Sequence, residues 1–239
     1  TGRALGKVRD LDVLIAKGGR YCQDLPADRC DGLDALLQAW EAQRIQARAE
    51  LLEYLDSKEY SDFKRQFNIF LNRPGAGVRP APAGQPTPVR VRDLAPVLIY
   101  RRLAAVRAYG PYLENAPVEL LHMLRIEFKK LRYTMEFFQE VLGPEARSVI
   151  NVIKTVQDHL GNLQDAEVAC QRLRLFLDTW DSGQVWLALA DRQSPAGIII
   201  YLAERHTERH RLITTFPATW AAFNSPVLQR SLALAISIL

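Results

Sequence analysis

The residues in this sequence best suited to chemistry are His122, Arg125, Lys129 and Arg132, spaced three and four apart. On an α-helix that spacing gathers them into one stripe. A row of three cations and an imidazole can hold an anion through charge-assisted hydrogen bonds, pass a proton, or offer its imidazole to a metal. A metal needs a second histidine or a carboxylate at i+3 or i+4. Those positions are Arg125 and Ile126, so no metal is expected here. His206 and His210 stand at i and i+4, but Arg205, Arg209 and Arg211 flank them and disfavour a cation. The chain contains no GxxxxGK[ST], GxGxxG or GxSxG stretch, and no Asp/Glu pair stands out as acid and base. No catalytic residue and no cofactor is therefore expected. The chemistry that remains is anion binding, weighed against a bundle helix whose basic flank is simply solvated.

The element that must carry this row is the stretch from Leu121 to Leu142. Its apolar residues Leu121, Leu124, Phe128, Leu131, Met135, Phe138 and Leu142 form a second stripe beside the cations. The helix thus presents a core face edge to edge with a basic face. Glu127 and Glu136 lie outside the row, and Lys129 has no acid at 125 or 133 to pair with along the helix.

Around this helix nearly everything reads as helix. The expected elements are Arg3–Lys17, interrupted at Gly6; Leu33–Leu55; Ser57–Asn72; Leu94–Tyr109; Val118–Leu142; Glu145–Leu160; Asp165–Trp180; Gly197–Phe216; and Ser225–Leu239. Asp10 and Asp165 are read as N-caps, and Cys22–Gly32 as a loop punctuated by Pro26. Strand-like alternation is confined to Val89-Arg90-Val91-Arg92. The stretch 73–92 is rich in proline and glycine and reads as a linker between 1–72 and 93–239. An apolar content of 48% suits a globular core, and a net charge of +4 is too mild to imply nucleic acid by itself. Three cysteines without a CxxC pair fit a reduced, cytoplasmic setting. No apolar run reaches the roughly 18–20 residues of a membrane span.

The two parts are similar to each other. Leu5-Gly6-x-Val8-Arg9-Asp10-x-Asp12-Val13 matches Leu160-Gly161-x-Leu163-Gln164-Asp165-x-Glu167-Val168. Trp40, Arg44, Arg48, Leu51, Leu52 and Leu55 match Tyr201, Arg205, Arg209, Leu212, Ile213 and Phe216; Ser57, Tyr60 and Leu71 then match Ser225, Leu228 and Leu239. By this register the counterpart of His122 falls before Thr1. The first copy is therefore expected to be incomplete at its N-terminal side, with a further helical segment upstream.

The duplicated arginines sharpen the anion reading. Arg44 and Arg48, and again Arg205 and Arg209, occupy heptad-like positions that should face inward. A buried arginine without a partner is prohibitively costly. These four must meet carboxylates such as Glu41, Glu204 and Glu208, line a wet cavity, or bind an anion.

Taken together, His122-x-x-Arg125-x-x-x-Lys129-Lys130-Leu131-Arg132-Tyr133, followed by Gln157-Asp158-x-Leu160-Gly161-x-x-x-Asp165, resembles the CHAD family, the conserved histidine α-helical domain. Leu5-Gly6-x-x-Arg9-Asp10-x-Asp12-Val13 resembles the matching stretch of that family's first repeat. The resemblance runs over essentially the whole chain. It implies an all-α fold of duplicated helical bundles: two four-helix bundles related by pseudo-twofold symmetry, packed around a basic central groove. It also implies non-catalytic binding of inorganic polyphosphate, residence at polyphosphate granules, and a setting beside triphosphate-processing enzymes. The candidate ligand contacts are His122, Arg125, Lys129, Lys130, Arg132, Arg44, Arg48, Arg205 and Arg209, with Lys7, Arg9, Lys154 and His206 as further members. Gln164 departs from the first copy, where Arg9 stands. A membrane partner is not expected. Nucleic acid is disfavoured because no exposed aromatics are found among the cations, Phe128, Phe138 and Trp40 all falling on apolar stripes.

Overall fold

The computed structural model of the chain describes residues 2–23, 32–78, 84 and 90–239, with only the backbone of residue 181. Most of the expected loop through Pro26, with Cys30, and half of the Pro/Gly-rich stretch lie outside these residues. Among the described residues the fold is all-α: α1 Gly2–Gln23, α2 Leu33–Asp56, α3 Lys58–Asn72, α4 Val91–Arg107, α5 Val118–Phe137, α6 Glu145–Gln184, α7 Ala196–Phe223 and α8 Pro226–Ser237. Short 3₁₀ turns stand at Gly110–Tyr112, Gln139–Val141 and Leu189–Asp191. No strand occurs among the described residues, and Val91 and Arg92, read as part of an alternating run, open α4 instead.

The expected helices exist, but several boundaries move. Gly6 does not interrupt α1, and Asp10 sits inside that helix rather than capping it. The two helices expected on either side of Gly161 are one element, the 40-residue α6. Gly161 and Asp165 look locally like a stop and a start. An interior glycine costs a helix only about 1 kcal/mol, which packing along α6 offsets. Pro217 likewise lies within α7. Ser57 and Ser225, matched in the repeat, both cap: their side chains accept from the backbone N–H groups of Tyr60 and Leu228.

The chain divides into two compact units. One comprises Thr1–Ala83 and Gln171–Ala203, the other Gly84–Cys170 and Glu204–Leu239, so α6 and α7 each contribute to both. In the first unit α1 and α2 pack closely. A side chain on Gly18 would come within 2.9 Å of Leu37 Cδ2, so glycine sets the spacing of the pair. Leu36, Trp40 and Tyr201 are buried there, and the Tyr21 and Tyr201 rings lie 4.4 Å apart. α3, by contrast, buries none of its residues.

The second unit holds the larger core. All seven residues of the predicted α5 stripe, extended into the following turn, are buried. They meet Ile99 and Val106 of α4, Ile153 and Leu160 of α6, Leu212, Phe216 and Phe223 of α7, and Leu232 and Ala235 of α8. Phe128 sits edge-on to Phe223 at 4.8 Å and to Trp220 at 6.2 Å, the geometry aromatic quadrupoles favour. His159 is a fully satisfied core histidine. Its Nε2 donates to the Leu212 carbonyl at 2.8 Å, and Thr219 Oγ1 lies 3.0 Å from Nδ1. With α5 clamped by this apolar stripe, the neighbouring row of cations is fixed in rotation.

Candidate anion site

α5 begins after Pro117, whose extended backbone serves as its N-cap. It then presents His122, Arg125, Lys129 and Arg132 in sequence along one side. His122 is half-buried and its Nδ1 lies 2.8 Å from Gln164 Oε1 on α6. Arg125 is half-buried as well. Its Nε would stand 3.7 Å from a side chain on Gly161, so the guanidinium lies against the bare backbone of α6. That Nε is buried and has no hydrogen-bond partner. Arg132 repeats the pattern: its side chain is 20% exposed, its Nε is buried without a partner, and its Nη1 stands 3.7 Å from Glu136 Oε1. Lys129 is exposed and has no ion pair among the described residues.

On α6 the facing residues Gln157, Gly161 and Gln164 recur at steps of four and three, a stripe that complements the row on α5. Gln157 Oε1 is buried and unpartnered as well, but as an acceptor it would gain nothing from an anion. An unpaired buried donor costs about 1–3 kcal/mol. Apart from the Arg132–Glu136 pair, the row concentrates positive charge and leaves the Arg125 and Arg132 Nε donors without intramolecular acceptors. An acceptor-only, multiply charged group would satisfy it.

The other candidate residues divide. Lys130 is not brought to the row: it projects from another side of α5 and pairs with Glu127. Of the four arginines expected to face inward, three are ion-paired. Arg44 Nη1 bonds Asp12 Oδ1 at 3.2 Å and also pairs with Glu41; these hydrogen bonds, Asp12 first and Glu41 second, push its guanidinium above its ordinary range. Arg205 pairs with Glu208. Arg209 pairs with Glu167, which has an exposure of 16%. Arg48 is exposed rather than inward. The sequence reading offered Glu41, Glu204 and Glu208 as carboxylate partners. It missed Asp12 and Glu167, which sit at matching places in the repeat and serve the arginines of their own units. Lys7 pairs with Glu50 at 3.3 Å, Arg9 and Lys154 are exposed, and His206 is half-buried.

The aromatic environment also differs from the reading. Phe128, Phe138 and Trp40 are buried as expected, but Tyr133 is 49% exposed and lies among the cations. Arg132 Cζ and Lys129 Nζ sit 5.0 Å and 5.6 Å from its ring centre. The i+4 and i+1 spacing from Lys129 and Arg132 carried that signal. Gln157, Gly161 and Gln164 drew notice in the sequence only as motif residues or a departure from the repeat, since neutral residues do not register in a count of charges.

A sequence model of one family, the CHAD domain, matches residues 1–174, nearly three quarters of the chain. The chain belongs to the CHAD family. The matched residues include α5 with its whole basic row and the facing stripe of α6, but stop short of α7 and α8, where the resemblance was read to continue. Among curated proteins, none matches the chain significantly. Among the described residues no group of three or more His, Cys, Asp or Glu side chains could hold a metal ion, and no helix is long and apolar enough to cross a membrane.

Proposed function

We propose that this CHAD protein binds inorganic polyphosphate without catalysing its turnover, using the α5 row His122, Arg125, Lys129 and Arg132. The observation that carries the reading is the pair of buried, unpartnered Nε donors on Arg125 and Arg132, flanked by an unpaired Lys129. Polyphosphate has about one charge per phosphate and only acceptor oxygens, so it matches forked guanidinium donors and supplies what the row lacks. Membership in a family known for polyphosphate binding points the same way. Arg205 and Arg209, in the same unit as α5, belong to this reading as supporting charges, already neutralised in part by Glu208 and Glu167. The setting that goes with it is the cytoplasm, at polyphosphate granules.

Titration calorimetry with polyphosphate of defined length tests this. Tight binding of the polymer, with orthophosphate far weaker, is the expected result; equal affinity for both would contradict a row that reads several phosphates at once. The exposed Tyr133 between Lys129 and Arg132 favours single-stranded nucleic acid as the second reading, because a base can stack there.

A further inference from the structure

We propose that Gln164 is a positioning residue that makes anion binding at His122 proton-coupled; this rests on the polyphosphate reading above. The argument starts from the two nitrogens of one ring. His122 Nδ1 lies 2.8 Å from the Gln164 side-chain oxygen. An amide oxygen only accepts, so Nδ1 must carry the hydrogen. In a neutral imidazole the other nitrogen, Nε2, is then a bare lone pair. It has no hydrogen-bond partner among the described residues and stands beside the cations of the α5 row. A phosphate oxygen is also an acceptor, and two acceptors repel. Nε2 can donate to a phosphate only when the ring is the imidazolium. Ligand capture through His122 therefore takes up one proton from solution, and Gln164, with its oxygen turned to the ring, holds the Nδ1–H tautomer that requires it.

His159 in the same unit shows the contrasting arrangement. Both of its nitrogens are engaged, by the Leu212 carbonyl and Thr219, so it has nothing left to offer a ligand. The repeat adds a chemical contrast: the first copy has Arg9 at the place of Gln164, and a guanidinium could not hold Nδ1–H. The charged residues on the elements that pack with α5 include Glu119 and Arg125 one turn from His122 on α5 itself, Arg101, Arg102 and Arg107 on α4, Asp158, Asp165 and Glu167 on α6, and Arg205, Glu208 and Arg209 on α7. Glu167 is committed to Arg209, and Glu208 to Arg205.

The sign follows from linkage. The bound state holds the extra proton more firmly than the free state, so affinity is fully present at low pH. It falls as pH rises and the imidazolium becomes harder to form. With one proton coupled, the steepest loss is about tenfold per pH unit.

The experiment is calorimetric titration of the whole chain with long-chain polyphosphate between pH 6 and 8.5, in buffers of different ionisation enthalpy, which counts protons taken up. Nitrogen NMR of the free protein at high pH reads the His122 tautomer independently of any ligand. Expected are an Nδ1–H tautomer, net proton uptake on binding, and loss of most of that uptake in His122→Gln. Gln164→Met keeps length but lacks the oxygen. It should release the tautomer, so that neutral Nε2–H donates and affinity becomes flatter with pH. Should the methionine variant not fold, Gln164→Asn, too short to reach, serves in its place. An Nε2–H tautomer in the wild type, or tight binding with no proton uptake, would overturn the coupling while leaving the polyphosphate reading intact. Absence of binding at every pH would overturn both.

Discussion

Replacing Arg125 by methionine separates a ligand-binding row from a structural one. Arg125 has no carboxylate partner, and its Nε is buried and unpaired beside Gly161. Methionine keeps most of the aliphatic stem and removes the unsatisfied donor, whose burial costs about 1–3 kcal/mol. The free protein should therefore melt at the wild-type temperature or a few degrees above it, at about 2–4 °C per kcal/mol for a chain of this size. Polyphosphate should bind the variant about 10- to 150-fold more weakly, since a charge-assisted contact is worth about 1.5–3 kcal/mol and 1.4 kcal/mol is a factor of ten. Arg209→Met is the control. Arg209 pairs with Glu167, whose side chain is only 16% exposed, and its loss removes that ion pair. Breaking a fully buried pair costs about 3–5 kcal/mol; with Arg209 itself 30% exposed, about 1–3 kcal/mol is expected, a clear drop in melting temperature. Melting curves with and without polyphosphate read both effects, because a ligand that binds the folded state alone raises the midpoint. If Arg125→Met melts far below wild type yet gains as much from ligand, the α5 row is structural and the reasoning fails.

Three further outcomes follow from the same geometry. Polyphosphate affinity should fall steeply with salt, as counterions released from the polymer oppose binding; for duplex DNA the log–log slope is about −0.9 per neutralised phosphate, and a flat response would mean the row is not the binding surface. Gly161→Ala should stabilise the fold by about 0.5–1 kcal/mol in a denaturant titration, because glycine is a poor helix residue and the added carbon meets Arg125 Nε at an ordinary 3.7 Å. Ser225→Ala should cost about 1 kcal/mol by removing the cap on the Leu228 N–H, with no change in ligand affinity.

The periodicity of α5 was legible in full, because burial on one face leaves a repeating apolar pattern, and every residue of that pattern is buried. The row beside it was legible for the same geometric reason. What the sequence obscured depends on partners distant along the chain. Gly161 and Asp165 carry the local chemistry of a helix end, and only packing against Arg125 shows why α6 runs on. Asp12 and Glu167 are unremarkable by spacing along their own helices, and become ion-pair partners only when α1 meets α2 and α6 meets α7. Lys130 lies next to Lys129 in sequence but about 100° away round the helix, and it is taken by Glu127. Gln164 carries no charge and drew notice only as a departure from its counterpart, although it holds the histidine.

We propose that the basic row selects polyphosphate over other polyanions. Competition between labelled long-chain polyphosphate and single-stranded DNA of equal charge, run at several salt concentrations, measures this directly. The account predicts that polyphosphate displaces DNA throughout, with the preference reduced in Arg125→Met. Preferential retention of DNA, lost on replacing Tyr133 by alanine, would contradict it.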